Sequence, residues 1–229
     1  MLIPAYNEAL NIENVVSAVR IALPEAEILV VNDGSSDDTA EILRRMKNVI
    51  ALHLPFNMGI GGAVQTGFRY FLDHDHDFLI RLDGDGQHPP SEAEKLLPPL
   101  QNGEADLVIG SRFITKQGYQ SSAYRRGGIK LLSILTNFII KQNITDNTSG
   151  FRAFNRRAAA ALAADYPFDY PEPVEVYMLA RKGYRIREIP ITMTARTRGS
   201  SSISLRHSYY YLVKVLVTIG VNFIGGGKK

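Results

Sequence analysis

Across its first 110 residues the chain alternates short apolar runs with longer stretches of helical periodicity, and no other feature constrains its fold as tightly. Strands are predicted at Met1–Ile3, Glu27–Val31, Val49–Leu54, Phe78–Leu82 and Ala105–Gly110. Helices are predicted between them: over Glu8–Leu23, where Ile12, Val15, Val16 and Val19 recur on one face, from a Ser35 or Ser36 cap to Met46, over Gly61–Leu72 and over Ser91–Leu100. Strands that alternate with helices of about 10–15 residues build a mostly parallel α/β sheet covered by helices on both faces. In such a sheet the ligand sits beyond the carboxyl ends of the strands.

After Arg112 the rhythm changes. A helix with a basic start is predicted over Tyr124–Ile140, a strand over Gly150–Phe154, a helix over Pro171–Arg181, and a strand over Tyr184–Ala195 interrupted at Pro190. Arg196–Ser204 is polar and reads as a mobile segment. Tyr209–Ile224 is an apolar stretch of 16 residues broken by Lys214. A membrane span needs about 20 apolar residues, so this stretch reads either as an amphipathic helix lying on a membrane or partner, or as an ordinary packing helix. Gly225–Lys229 reads as a frayed tail, and no internal repeat is visible.

Composition narrows the classes further. The 229 residues are 45% hydrophobic and 21% charged, which excludes wholesale disorder. There is no cysteine, hence no disulfide scaffold, thiolate metal site or cysteine nucleophile. Met1 leads within three residues into Pro4-Ala5-Tyr6-Asn7-Glu8 rather than into a basic and then apolar leader. The net charge of +3 hides a polarised chain: residues 1–110 carry 7 Lys/Arg against 17 Asp/Glu, and residues 111–229 carry 19 against 6. An acidic half can hold a cation and a basic half can face phosphates or an anionic membrane, although solvated surface accounts for both as well. The aromatic cluster Tyr209-Tyr210-Tyr211 is not interleaved with a basic stripe, so the basic half does not read as a nucleic-acid binder.

The sharpest chemical feature is Asp83-Gly84-Asp85-Gly86-Gln87 at the end of the fourth strand. Two carboxylates two residues apart at a strand end can turn toward one ion, with glycines letting the backbone approach. Hard oxygen ligands favour Mg²⁺ or Mn²⁺, with Gln87 adding an amide oxygen and His88 a weaker candidate. The same tripeptide alone is also a common turn. Asn32-Asp33-Gly34-Ser35-Ser36-Asp37-Asp38 closes the second strand; Asp33 can accept hydrogen bonds from a base edge or ribose while Asp37 and Asp38 serve the helix dipole. Asn57-Met58-Gly59-Ile60-Gly61-Gly62-Ala63 opens a helix after the third strand, which is the wrong place and spacing for a dinucleotide fingerprint. Asn57 and Gly59 there either meet a nucleotide or pack on the sheet. Arg112 ends the fifth strand, followed by Arg125, Arg126 and Arg152; arginine suits phosphate, and each alone also suits a surface ion pair.

Taken in order, Ile3-Pro4-Ala5-Tyr6-Asn7-Glu8, Val31–Asp37, Asn57–Gly61, Asp83–Pro89, Gly110-Ser111-Arg112-Phe113 and Ser149-Gly150-Phe151-Arg152 resemble glycosyltransferase family 2, over about residues 1–200. Within it the chain most resembles the dolichol- or polyprenyl-phosphate sugar transferase branch, dolichol-phosphate mannosyltransferase-like. The resemblance implies a GT-A fold with a Rossmann-like sheet: a catalytic domain over 1–204, divided into a nucleotide- and metal-binding half (1–110) and an acceptor-binding half (111–204), with 205–229 as an amphipathic helix and tail. It implies that Pro4, Ala5, Tyr6 and Glu8 line the base site, that Asp33 holds the uracil or guanine side, and that Asp83, Asp85 and Gln87 hold the divalent ion on the diphosphate. It implies that Arg112 and Arg126 meet phosphates, and that Arg198-Gly199-Ser200-Ser201 closes over the site. The family often carries a Lys after that loop's serine, where this chain has Ser202. Its first strand is also abbreviated.

The implied reaction moves a sugar from a UDP- or GDP-sugar to an acceptor that attacks in line, inverting the anomeric centre, while the metal ion stabilises the diphosphate leaving group. A lipid-phosphate acceptor is already an anion near neutral pH, since the second pKa of a phosphomonoester is about 6, and needs no strong base. A sugar hydroxyl needs a carboxylate to take its proton; Asp146 and Glu172 are the candidates, against a turn and a helix start respectively. Asp85, Asp146 and Arg112 form the catalytic set, and Arg112, Arg126, Arg152, Arg198 and Ser200 the acceptor or phosphate set. Polyprenyl phosphate is the first acceptor, a glycan in cell-wall or exopolysaccharide assembly the second, and an inactive assembly subunit the third reading. The expected setting is peripheral, at the cytoplasmic face of a membrane, with a homo-oligomer or a membrane partner as further associations.

Overall fold

The computed structural model describes residues 1–115, 127, 133–134, 136–138, 140, 142–167 and 171–194. The predicted helix over 124–140 falls largely outside them. Arg125, Arg126, Arg198, Ser200, the polar segment over 196–204 and the stretch over 209–224 lie outside the described residues altogether.

The described elements run β1 (Leu2–Ala5), α1 (Ile12–Ala22), β2 (Leu29–Asn32), α2 (Thr39–Arg45), β3 (Ile50–His53), α3 (Gly59–Asp73), β4 (Phe78–Arg81), a 3-10 helix (Pro90–Leu96), α4 (Pro98–Gln101), β5 (Leu107–Ser111), β6 (Arg152–Asn155), α5 (Arg156–Ala164), α6 (Pro171–Arg181) and β7 (Ile186–Pro190). The strands form one seven-stranded sheet in the order β3-β2-β1-β4-β6-β5-β7. β1 pairs in parallel with β2 and β4, β2 with β3, and β5 with β7, while β6 runs antiparallel to both β4 and β5.

Strand pleating sends successive side chains to opposite faces, and the core divides accordingly. Leu2, Val31, Leu79 and Leu107 join the core beneath α3, α5 and α6. Their neighbours Ile3, Val30, Ile80 and Val108 join the core beneath α1 and the 3-10 helix. α1 forms because Ile12, Val15, Val16 and Val19 are buried on one stripe, with Glu13 in its first turn and Arg20 in its last complementing the helix dipole. Pro24 then disfavours a further helical turn at Leu23. α3 lies close on β1: a Cβ at Gly67 would stand 2.3 Å from a Leu2 methyl carbon. Phe68 meets Phe154 and Tyr166 edge-on, at 5.0 and 5.4 Å, and so ties α3 to β6.

Several elements depart from the sequence expectations. α2 begins at Thr39, and neither Ser35 nor Ser36 caps it, because both serines are taken up by Asn7 of the β1 loop. The predicted helix over 91–100 divides into a 3-10 helix and the four-residue α4, since Pro98 and Pro99 lack the amide donors that a continuous helix needs. β7 ends at Pro190, where the chain sits on the sheet edge. α5 lies in a segment with no predicted element; its Asn155 cap accepts a hydrogen bond from the Ala158 amide at 2.9 Å.

Candidate active site

Because β6 runs antiparallel, the segment that leads into it arrives at the carboxyl ends of β4 and β5. Arg152 stands in register with Arg81 on one side and Ile109 on the other. The loops after β1, β2, β4 and β5 and the loop before β6 therefore share one mouth.

On the β1–β2 side, the loops are stitched by hydrogen bonds. Asn7, in the left-handed region at φ 55°, donates its amide to Ser35 Oγ at 2.9 Å, and its Oδ1 accepts the Ser36 amide at 2.8 Å. The Glu8 amide donates to Thr39 Oγ1 and the Ala9 amide to Asp37 Oδ2, so Asp37 bridges two loops in addition to serving its helix. Pro4 and Ala5 are buried, whereas Tyr6 is 47% exposed. Asp33 is buried and accepts the Met58 amide at 2.7 Å. Burial raises its pKa, against the opposing pull of the Met58 and Gly59 amides. Gly34 sits at φ +63°, and a Cβ there would meet the Phe56 carbonyl carbon at 2.5 Å, so only glycine lets the Asn57–Gly59 turn close on Asp33.

At the centre stands the β4 loop. Asp85 Oδ1 accepts the Gln87 amide at 3.0 Å, and Thr194 ties the loop down through the carbonyls of Gly86 and Gln87. The buried His88 takes the Asp83 amide on Nδ1 at 3.1 Å, which leaves its ring proton on Nε2. Burial lowers its pKa despite Asp83 and Asp85 nearby. Asp83 Oδ1 is buried without a hydrogen-bond partner and faces Arg81 Nη2 at 3.7 Å. Asp83 is cradled by Gly150, where a Cβ would come within 2.7 Å of Oδ2. An orphaned carboxylate oxygen beside a second carboxylate fits a Mg²⁺ or Mn²⁺ ion that also takes substrate phosphates. Among the described residues no group of three His, Cys, Asp or Glu could cage an ion alone, so the substrate would supply the remaining ligands.

On the β5 side, Arg112 lies against Asp146 in a two-pronged pair: Nε to Oδ2 at 2.6 Å and Nη2 to Oδ1 at 2.7 Å, with a further bond to Thr148 Oγ1 at 3.0 Å. Asp146 is fully buried. This corrects its expected availability as a base, because both its oxygens are held by a cation. Glu172 is likewise engaged, by Arg81. Burial would raise its pKa, but the charges of Arg81 and Arg152 outweigh that and lower it.

Arg152 also departs from expectation. It is fully buried, ion-paired with Glu175 at 2.6 Å, and donates to the carbonyls of Asn147, Ser149 and Glu172. It shapes the loop before β6 instead of facing a phosphate. Arg81 and Glu188 enter the site with no role expected from the sequence, and Gly150 has one only as part of the motif Ser149-Gly150-Phe151-Arg152. Arg81 carries a signal, being a charge inside the apolar run Phe78–Leu82, whereas Glu188 stands beside Arg187 in the mixed strand Ile186–Pro190 and carries none. A cavity of about 810 Å³ at the opposite end of the strands, lined by Ile28, Ile50, Phe78 and others, contains none of the predicted site residues.

Residues 1–162 match the family model described as glycosyl transferase family 2. The chain is 34% identical over 211 residues to an undecaprenyl-phosphate mannosyltransferase of Micrococcus luteus, covering 89% of this chain and 86% of the relative. It is 32% identical over 213 residues to the polyprenol monophosphomannose synthase of Mycolicibacterium smegmatis, covering 89% and 80%. Among solved structures, glucosyl-3-phosphoglycerate synthase of Mycobacterium tuberculosis in complex with Mn²⁺ and UDP-glucose has the same GT-A fold, with TM-score 0.69 at 20% identity over 95% of this chain and 76% of that one. With its GT-A sheet and its paired aspartates at the carboxyl end of β4, this chain belongs to glycosyl transferase family 2 and is a glycosyltransferase.

Proposed function

We propose that the enzyme transfers a sugar from a nucleotide diphosphate sugar to a polyprenyl phosphate, with inversion at the anomeric carbon. The observation that carries the lipid-phosphate acceptor is the state of the two candidate bases. Asp146 is clamped by Arg112 and Glu172 by Arg81. A hydroxyl acceptor would need one of them to take its proton, whereas a phosphate arrives already ionised. The names of the Micrococcus and Mycolicibacterium relatives support the same acceptor class and mannose as the sugar.

In this reading Asp83, Asp85 and Gln87 hold Mg²⁺ or Mn²⁺, which when bound offsets charge on the departing nucleoside diphosphate. Asp33, with Pro4, Ala5, Tyr6, Glu8, Asn57 and Gly59, binds and orients the nucleoside. Arg112 meets an incoming phosphate from the β5 side, with Arg126, Arg198 and Ser200 as further phosphate contacts. Among the described residues no helix is long and apolar enough to cross a membrane. The basic character of residues 111–229 and the apolar stretch over 209–224 support peripheral attachment to an anionic surface, at the cytoplasmic face.

The test is calorimetric binding of UDP-glucose, UDP-galactose, UDP-N-acetylglucosamine, GDP-mannose and dTDP-rhamnose with and without Mn²⁺, followed by transfer to undecaprenyl phosphate in detergent micelles. Mn²⁺-dependent binding of one donor, abolished by Asp85→Ala, and transfer to the lipid are expected. Transfer only to a saccharide hydroxyl would overturn the acceptor assignment.

A further inference from the structure

Glu188 lies on β7, at the edge of the sheet, opposite Ile109 of β5. Its carboxylate accepts the Thr145 amide at 2.8 Å on Oε2 and the Asp146 amide at 2.7 Å on Oε1, and Thr145 Oγ1 lies within 3.2 Å of both oxygens. Thr145 Oγ1 in turn meets Ser111 Oγ at 2.9 Å, one residue before Arg112. The next link is the pair between Asp146 and Arg112. One carboxylate therefore fixes two successive amides of the turn whose aspartate grips the arginine at the β5 mouth.

We infer that Glu188 is a positioning residue for sugar transfer, acting through Asp146 to present Arg112 to the acceptor phosphate. The inference rests on the reading of Arg112 given above. It separates two parts of one loop. Asn147 and Ser149 are held independently by Arg152, through their carbonyls, and this anchors the side of the loop that cradles Asp83. Loss of Glu188 should therefore loosen Arg112 and leave the metal and donor side in place. A neutral amide in its place offers one acceptor oxygen where two amide donors converge, so Glu188→Gln keeps part of the anchor and Glu188→Ala none.

The experiment is a double-mutant cycle on the full chain with Glu188→Ala, Glu188→Gln, Arg112→Ala and Glu188→Ala/Arg112→Ala. It uses undecaprenyl phosphate in micelles and the donor that the calorimetric panel selects. Glu188→Ala should lower kcat tenfold or more and change donor affinity by less than twofold, with Glu188→Gln between it and the wild type. The double variant should be no slower than Arg112→Ala. Substrate-free hydrogen exchange should show faster exchange of the Thr145 and Asp146 amides in Glu188→Ala; if that variant does not fold, Glu188→Gln gives the same readouts at smaller amplitude. Multiplicative losses in the double variant, or unchanged protection of the two amides, would overturn the inference. Full transfer activity in Arg112→Ala would instead overturn the role of Arg112, and the inference with it.

Discussion

At the residue scale, two positions turn geometry into chemistry. Asp33 is held above the ordinary aspartate range by burial, only partly offset by the Met58 and Gly59 amides. As an acceptor of hydrogen bonds from the nucleobase or ribose it is strongest when ionised, and a raised pKa means that acidification neutralises it earlier than it would an exposed aspartate. Donor affinity should therefore begin to fall at a higher pH than an unperturbed carboxylate would dictate. Asp33→Asn should bind roughly tenfold more weakly, a loss of about 1.4 kcal/mol, and lose that pH dependence; calorimetry between pH 4.5 and 7.5 measures both. Gly150 makes a different demand. A methyl group there would press on both carboxylate oxygens of Asp83, at 2.7 and 2.9 Å. Gly150→Ala should abolish Mn²⁺-dependent donor binding and leave the protein folded, as read by calorimetry and circular dichroism. Binding at wild-type strength would show that Asp83 does not need this cradle.

At the element scale, most of the alternating half was legible because its signals are local. α1 and α3 announce themselves by apolar stripes, and β2 by its β-branched run. The failures lie where tertiary contacts decide. Ser35 and Ser36 look like caps, but Asn7, nearly thirty residues away in sequence, claims both. Arg152 looks like a phosphate ligand until β6 is placed antiparallel between β4 and β5, which carries the side chain into the core. The pairing of Arg81 with Glu172 joins β4 to the start of α6 and was equally invisible in the sequence. It has a consequence for stability. The Glu172 pKa is lowered below its ordinary 4.5, the charges of Arg81 and Arg152 outweighing burial. Asp106 is lowered too, hydrogen bonds from Arg185 and Asn155 outweighing its own burial. A carboxylate depressed in the folded state contributes stability above its unfolded pKa and loses it as pH falls through the folded value. Urea unfolding should therefore show stability declining below about pH 4.5. Glu172→Gln should make that decline shallower and cost about 3–5 kcal/mol at pH 7, because it takes the nearest carboxylate from the buried Arg81 and leaves Asp83 at 3.7 Å. An unchanged acid slope in Glu172→Gln would remove Glu172 from that account.

At the scale of the whole molecule, the site belongs to no single element. Asp33 follows β2, Asp83 and Asp85 follow β4, Arg112 follows β5, and Gly150 precedes β6, so in the proposed function the donor and acceptor meet segments that only the complete sheet brings together. The unfolded chain has no equivalent site, and ligand binding must therefore stabilise the fold by mass action. At a donor concentration 100 times its Kd the gain is about 2.7 kcal/mol. A chain of this length gains about 2–4 °C in Tm per kcal/mol, so the donor with Mn²⁺ should raise Tm by roughly 5–10 °C. The metal alone should do far less, since the described residues offer no group of three His, Cys, Asp or Glu to hold it. The expected pattern is thus synergistic: a small shift with Mn²⁺, a small shift with donor, and a shift with both that exceeds their sum. Asp85→Ala should lose the excess and keep its own baseline Tm within a few degrees, because its side chain organises the β4 loop and not the core. Equal shifts with Mn²⁺ alone and with Mn²⁺ plus donor would mean that the paired aspartates bind an ion without the diphosphate, and the joint site built from four strand ends would have to be abandoned.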